Sequence, residues 1–176
     1  ERAAKLGLVG AMITVRPMNR RHSHPEYEPL WAAAQDLEMP LSLHTGTDRW
    51  RPGGNPADQA VDPVAATNKE NVVRTAIADM IFAGVFERYP RLQVGTVEQE
   101  LSWIAHFLDR IDYTYTQRAR RAQWRRFKGN ELPSDFFHRN VFCSFQEDAL
   151  GIRDRHIIGV DNLMWGSDYP HQESTW

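Results

Sequence analysis

One cysteine, Cys143, is the chain's only thiol, which excludes an internal disulfide framework and suits a reducing compartment. No apolar run approaches the roughly 20 residues that a membrane helix needs. No signal peptide stands at the start. The sequence therefore reads as cytoplasmic, with no membrane partner. An excess of charge of one sign is also missing. The 21 basic and 23 acidic residues leave a net charge of −2, so no broad positive field is present to hold nucleic acid. There is no GxGxxG or Walker loop to cradle phosphates, and no GxSxG nucleophile elbow.

What is there is a chain of 176 residues, 41% hydrophobic, long enough to bury one sizeable core. One domain over 1–176 is expected. The edges are unusual. No Met opens the chain, and residues 1–7 read as the last turns of a helix stopped by Gly7. Trp176 falls within a loop. Both edges read as cut, so a fragment of a longer protein is expected.

Five short apolar runs predict strands over 11–15, 41–44, 92–97, 141–145 and 163–165. They mostly lack clean alternation, as strands buried on both faces do. Helical spacing predicts helices over 27–37, 67–86, 100–120 and 148–158. Alternating strand and helix argues an α/β fold with a parallel sheet. An open doubly wound sheet and part of an eight-stranded α/β barrel both satisfy this pattern. In either, ligands bind at the C-terminal ends of the strands.

Three polar residues stand at such ends: His44 in LSLHTG, Glu98 in VGTVEQE and Asp168 in WGSDYPH. An imidazole and a carboxylate are good ligands for zinc or a similar divalent ion, and bound metal brings the pKa of its water towards about 7. Each residue also has a plainer reading. His44 can cap a loop, Asp168 can shape a turn, and Glu98 can pair with an arginine or open the next helix. The pair Glu98 and Asp168 is also a carboxylate couple of the kind a barrel glycosidase uses. His22 and His24 form a His-x-His ended by Pro25, in a polar stretch read as loop rather than as a ligand strand. His106, His138 and His156 read as structural, and Cys143 as a small buried hydrophobe. The basic stretch 118–128 around Trp124 reads as a solvated helix face.

LSLHTGT, FERYPRLQVGTVEQELSWIAHFLDRID and LMWGSDYPH, in that order, resemble the amidohydrolase-related family of the metal-dependent hydrolase superfamily. That family includes the aminocarboxymuconate-semialdehyde decarboxylase-like branch. The likeness runs through nearly the whole chain. It implies a partial (β/α)8 TIM barrel, roughly strands four to eight, with one divalent metal, zinc or manganese, at the mouth. His44 matches the middle-strand ligand and Asp168 the last-strand ligand. The first-strand His-x-His of such families has no match here, and Glu98 stands where many decarboxylase-like members carry histidine.

The resemblance implies hydrolysis of an amide, ester or lactone of a small molecule, with Asp168 taking and returning the proton. Its alternative is non-oxidative decarboxylation of an aromatic or unsaturated acid, with Asp168 or Glu98 managing the proton at carbon. Glu98 and His171 are expected to contact the substrate. A homo-oligomer is left open, and so is an inert fragment.

Overall fold

The computed structural model describes residues 1–15, 17, 20–44, 46–47, 63–118, 126–171 and 174–175. Five strands, β1 (Ala11–Thr14), β2 (Leu41–His44), β3 (Val94–Val97), β4 (Val141–Phe145) and β5 (Leu163–Trp165), form one sheet in the order β1-β2-β3-β4-β5. Every pairing is parallel. A doubly wound sheet reverses direction at a switch point. Here each strand lies beside the next in sequence, which is the order of a barrel wall. This decides between the two α/β alternatives in favour of the partial barrel.

The register explains why the strands do not alternate cleanly. Leu41, Val94 and Val141 lie abreast, as do Leu43, Thr96 and Cys143, and all six are at most 1% exposed. Two-residue periodicity sends this set to one face. That face packs beneath α2 (Glu28–Asp36), α4 (Glu70–Phe82), α6 (Ser102–Tyr113) and α7 (Pro133–Asn140), which contribute Trp31, Ile77, Ile104 and Phe137 to a single core. Burial lifts the Cys143 thiol to about 12, so it stays an inert hydrophobe, as expected. The opposite face carries Met12, Ser42, Gly95 and Phe142 in one row and Thr14, His44 and Val97 in the next. Gly95 is required there, because any Cβ would overlap the Phe142 ring.

Several expected helices are interrupted. The run 67–86 is split into α3 (Pro63–Thr67), α4 and α5 (Val85–Arg88), and Gly84, at φ 69°, makes the left-handed step between the last two. The helix expected from 100 begins only at Ser102, since Glu100 is itself left-handed at φ 53°. It passes into a π-helical turn at Thr114–Arg118. The rest of that run, and with it Trp124 in the basic stretch, lies outside the described residues. The run 148–158 divides into α8 (Ala149–Arg153) and α9 (Arg155–Ile158). The short helix α1 (Arg2–Lys5) ends before Gly7, which is left-handed at φ 83°.

Asp148 ties two of these elements together. One carboxylate oxygen accepts from the N–H groups of Leu101 and Ser102 at the start of α6, at 2.7 and 2.6 Å. The other caps α8 by accepting from Gly151 N at 2.7 Å. Burial pushes this carboxyl up, but the hydrogen bonds from Gly151, Leu101 and Ser102 outweigh it and hold the group below its ordinary range. A depressed folded-state pKa contributes stability above the unfolded value of about 3.9, and that contribution disappears as pH falls through the folded pKa. Asp148→Ala is expected to cost about 2–3 kcal/mol, two caps at roughly 1 kcal/mol each plus a buried donor left unpaired. A urea midpoint unchanged at pH 7, or a wild-type acid-unfolding profile in the variant, would refute this.

Candidate functional site

The C-terminal ends of the strands gather on one edge of the sheet because all five run in the same direction. β2 ends on His44, whose Cα partner on β3 is Val97, and β3 then delivers Glu98. The two side chains meet, with His44 Nε2 at 2.6 Å from Glu98 Oε1. A carboxylate only accepts, so Nε2 is the donor in this contact. Both side chains remain about a quarter exposed. Thr47 fixes the chain after His44. Its hydroxyl donates to the His44 carbonyl at 2.6 Å and accepts from Val15 N at 3.1 Å, and its own carbonyl accepts from the Thr14 hydroxyl.

Glu98 has φ 57° and Asp168 φ 56°. Left-handed backbone is unfavourable for both, and for glutamate more than aspartate. Such strain persists where the surroundings over-determine it and concentrates at functional sites. The Glu98 N–H is held by the Ser144 hydroxyl on β4 at 3.2 Å. Asp168 follows β5, and its Oδ2 is shielded from solvent and accepts no hydrogen bond among the described residues. His171 Nδ1 lies 3.0 Å from that oxygen as an ion-pair neighbour.

The expected residues thus form two pairs, His44 with Glu98 and Asp168 with His171. Each acid has an imidazole against it. That pairing lends no support to the glycosidase reading, which rests on two carboxylates facing each other across an open groove. A buried carboxylate oxygen that accepts no hydrogen bond among the described residues, on the same C-terminal edge of the sheet as an imidazole, is donor chemistry that fits a divalent ion. Among the described residues no group of three His, Cys, Asp or Glu is placed to hold a metal.

Other histidines hold backbone groups where contacts define them. His22 is 4% exposed, with Nε2 2.9 Å from the Thr14 carbonyl, and burial foremost pushes its pKa down. His24 Nδ1 accepts from Glu26 N at the start of the Pro25–Tyr27 turn, and His138 Nε2 reaches the Ile157 carbonyl at 3.0 Å. Thr47, Ser144 and Asp148 support the site without having been anticipated. Thr47 lies within the LSLHTGT motif, which is the signal by which it was findable. Ser144 carries no local signal, since its partner lies 46 residues away, and only the α8 cap of Asp148 is local, its other partner Leu101 lying 47 residues away.

The amidohydrolase family model matches residues 1–176. Gamma-resorcylate decarboxylase of Polaromonas sp. (strain JS666) is 23% identical over 195 residues, covering 98% of this chain and 55% of that protein. Among solved structures, 5-carboxyvanillate decarboxylase LigW from Sphingomonas paucimobilis has a TM-score of 0.74 at 23% identity, over 96% of this chain and 50% of its own. A dihydroxybenzoic acid decarboxylase from Polaromonas sp. JS666, solved with bound manganese and the inhibitor 2-nitroresorcinol, has a TM-score of 0.66 at 18% identity, over 96% and 52%. These structural likenesses carry the (β/α) barrel fold. The chain spans about half the length of these relatives, and it belongs to the amidohydrolase family.

Proposed function

We propose that the protein containing this chain is a metal-dependent carboxy-lyase acting on an aromatic carboxylic acid. The hydrolase reading is the weaker of the two, because similar proteins carry decarboxylase names. The observation that carries the proposal is the strained Asp168 beyond β5. Its Oδ2 is buried and accepts no hydrogen bond among the described residues, at the same C-terminal edge of the sheet as the His44–Glu98 pair.

In this reading His44 and Asp168 are two ligands of one divalent ion, with manganese supported by the relative that holds it. The ion would anchor substrate oxygens and supply positive charge beside the scissile carboxylate. Asp168, having taken a proton from solvent, then delivers it to the ring carbon that bears the carboxylate and returns to its carboxylate form. The carbon–carbon bond breaks, its electron pair restores the ring, and carbon dioxide leaves. Glu98 orients the His44 ring through the 2.6 Å contact, and His171, half-exposed, faces the incoming substrate.

The test is carbon dioxide release from 2,6-dihydroxybenzoate and 5-carboxyvanillate by Mn²⁺-supplied protein, run beside ester and lactone hydrolysis. Release of carbon dioxide is expected. Hydrolysis without carbon dioxide would return the assignment to the hydrolase class, and neither activity would leave the chain inert.

A further inference from the structure

Apart from the strand ends, a cavity of about 460 Å³ opens between α4 and α6 on the helical side of the molecule. Arg74 from α4, Arg110 from α6 and Arg21 from the segment after β1 all line it. Neither His44, Glu98, Asp168 nor His171 does. The ion pairs formed by other arginines, such as Arg88 with Glu28 and Arg139 with Glu131, have no counterpart at these three among the described residues. One acid, Asp79, shares the wall, and its two oxygens accept from Ser23 N and Ser23 Oγ, each at 2.8 Å. The cavity keeps an excess of positive charge.

Two of the guanidinium groups are held in place by uncharged rings. Arg74 lies 5.6 Å from the Phe107 centroid, with Nη2 3.2 Å from His106 Nδ1, and Arg110 lies 4.5 Å from the Tyr113 centroid. Both arginines are half-buried. Ring contacts orient a guanidinium but leave its charge and most of its donors available. The floor is apolar, made by Ala78, Phe82, Phe107 and Ile111. A guanidinium fork matches a carboxylate in two-point fashion, and the volume lies within the range of small-molecule sites.

From this arrangement we propose that the α4–α6 cavity binds a small organic anion, a carboxylate carried on an apolar or aromatic body. Arg74 and Arg110 grip the carboxylate, Arg21 closes the rim, and the body rests on Phe82, Phe107 and Ile111. The site is separate from the proposed catalytic edge and does not depend on that reading.

Calorimetric titration of the full chain with benzoate tests it, with inorganic phosphate and cyclohexylammonium as comparison probes. Saturable benzoate binding is expected, weakened at least tenfold in the double variant Arg74→Gln/Arg110→Gln and measurably in Arg21→Gln, whose exposed position spares the fold. Binding is expected to persist in His44→Ala. Phosphate is expected to bind more weakly, and cyclohexylammonium not at all. Absence of saturable benzoate binding, equal binding by the arginine variants, phosphate binding as tight as benzoate, or loss of binding in His44→Ala would each overturn the assignment.

Discussion

His44→Ala is expected to lower Mn²⁺ affinity at least 100-fold and to abolish carbon dioxide release. Loss of a partner that merely orients a ligand typically costs 10–100-fold in metal affinity or activity, and loss of a ligand itself costs more. A hundredfold loss is about 2.7 kcal/mol. The side chain sits at the end of β2 with its ring nitrogen 2.6 Å from Glu98 and its backbone carbonyl tied to Thr47. The ring is thus presented at one position and angle, with little left for a metal to organise. Glu98→Gln is the informative companion. An amide oxygen still accepts from Nε2, so metal affinity should fall by less than tenfold. Titration with Mn²⁺ followed by the carbon dioxide assay reads both. Wild-type Mn²⁺ affinity in His44→Ala would remove this residue from the ligand set, and with it the metal reading of the strand-end cluster.

Phe137→Ala is expected to destabilise the protein by about 3–5 kcal/mol, the usual cost of emptying a fully buried aromatic site. Phe137 is 0% exposed, and its ring meets Phe107 of α6 edge-on at 6.1 Å. The neighbouring Phe136 is 1% exposed and packs on Phe127 with ring centroids 4.6 Å apart. The wall between α6 and α7 is therefore built from aromatic rings, and one deletion leaves a hole that several neighbours line. Against a total stability of roughly 5–15 kcal/mol, this is a large share. Phe137→Leu, which refills most of the space, should recover more than half of the loss. Urea unfolding of the three proteins decides. A difference below about 1 kcal/mol for Phe137→Ala would mean that the site collapses around the missing ring.

The helix that carries Phe137 was not legible beforehand, for a physical reason. α7 is eight residues long, too short for the 3.6-residue repeat to emerge, and its first turn depends on Pro133 and on Asp135 accepting from Leu132 N at 2.7 Å. The strands were legible as short apolar runs between helical stretches, and three of the five coincide with the expected bounds, 41–44, 141–145 and 163–165. The strand-end residues followed from one rule, that parallel α/β sheets present their chemistry where strands end.

Residue order by itself thus predicted the five strands and most of the helical cover, and placed His44, Glu98 and Asp168 at strand ends, since these depend on spacing over a few neighbours. Only the tertiary structure decided that the strands follow one another as a barrel wall, and that Glu98 lies on His44 while His171 lies beside Asp168. It also decided that three arginines surround one cavity. Those choices bring together residues as far apart as Arg21 and Arg110, and which strand or helix lies beside which is set by how the whole core packs rather than by local periodicity.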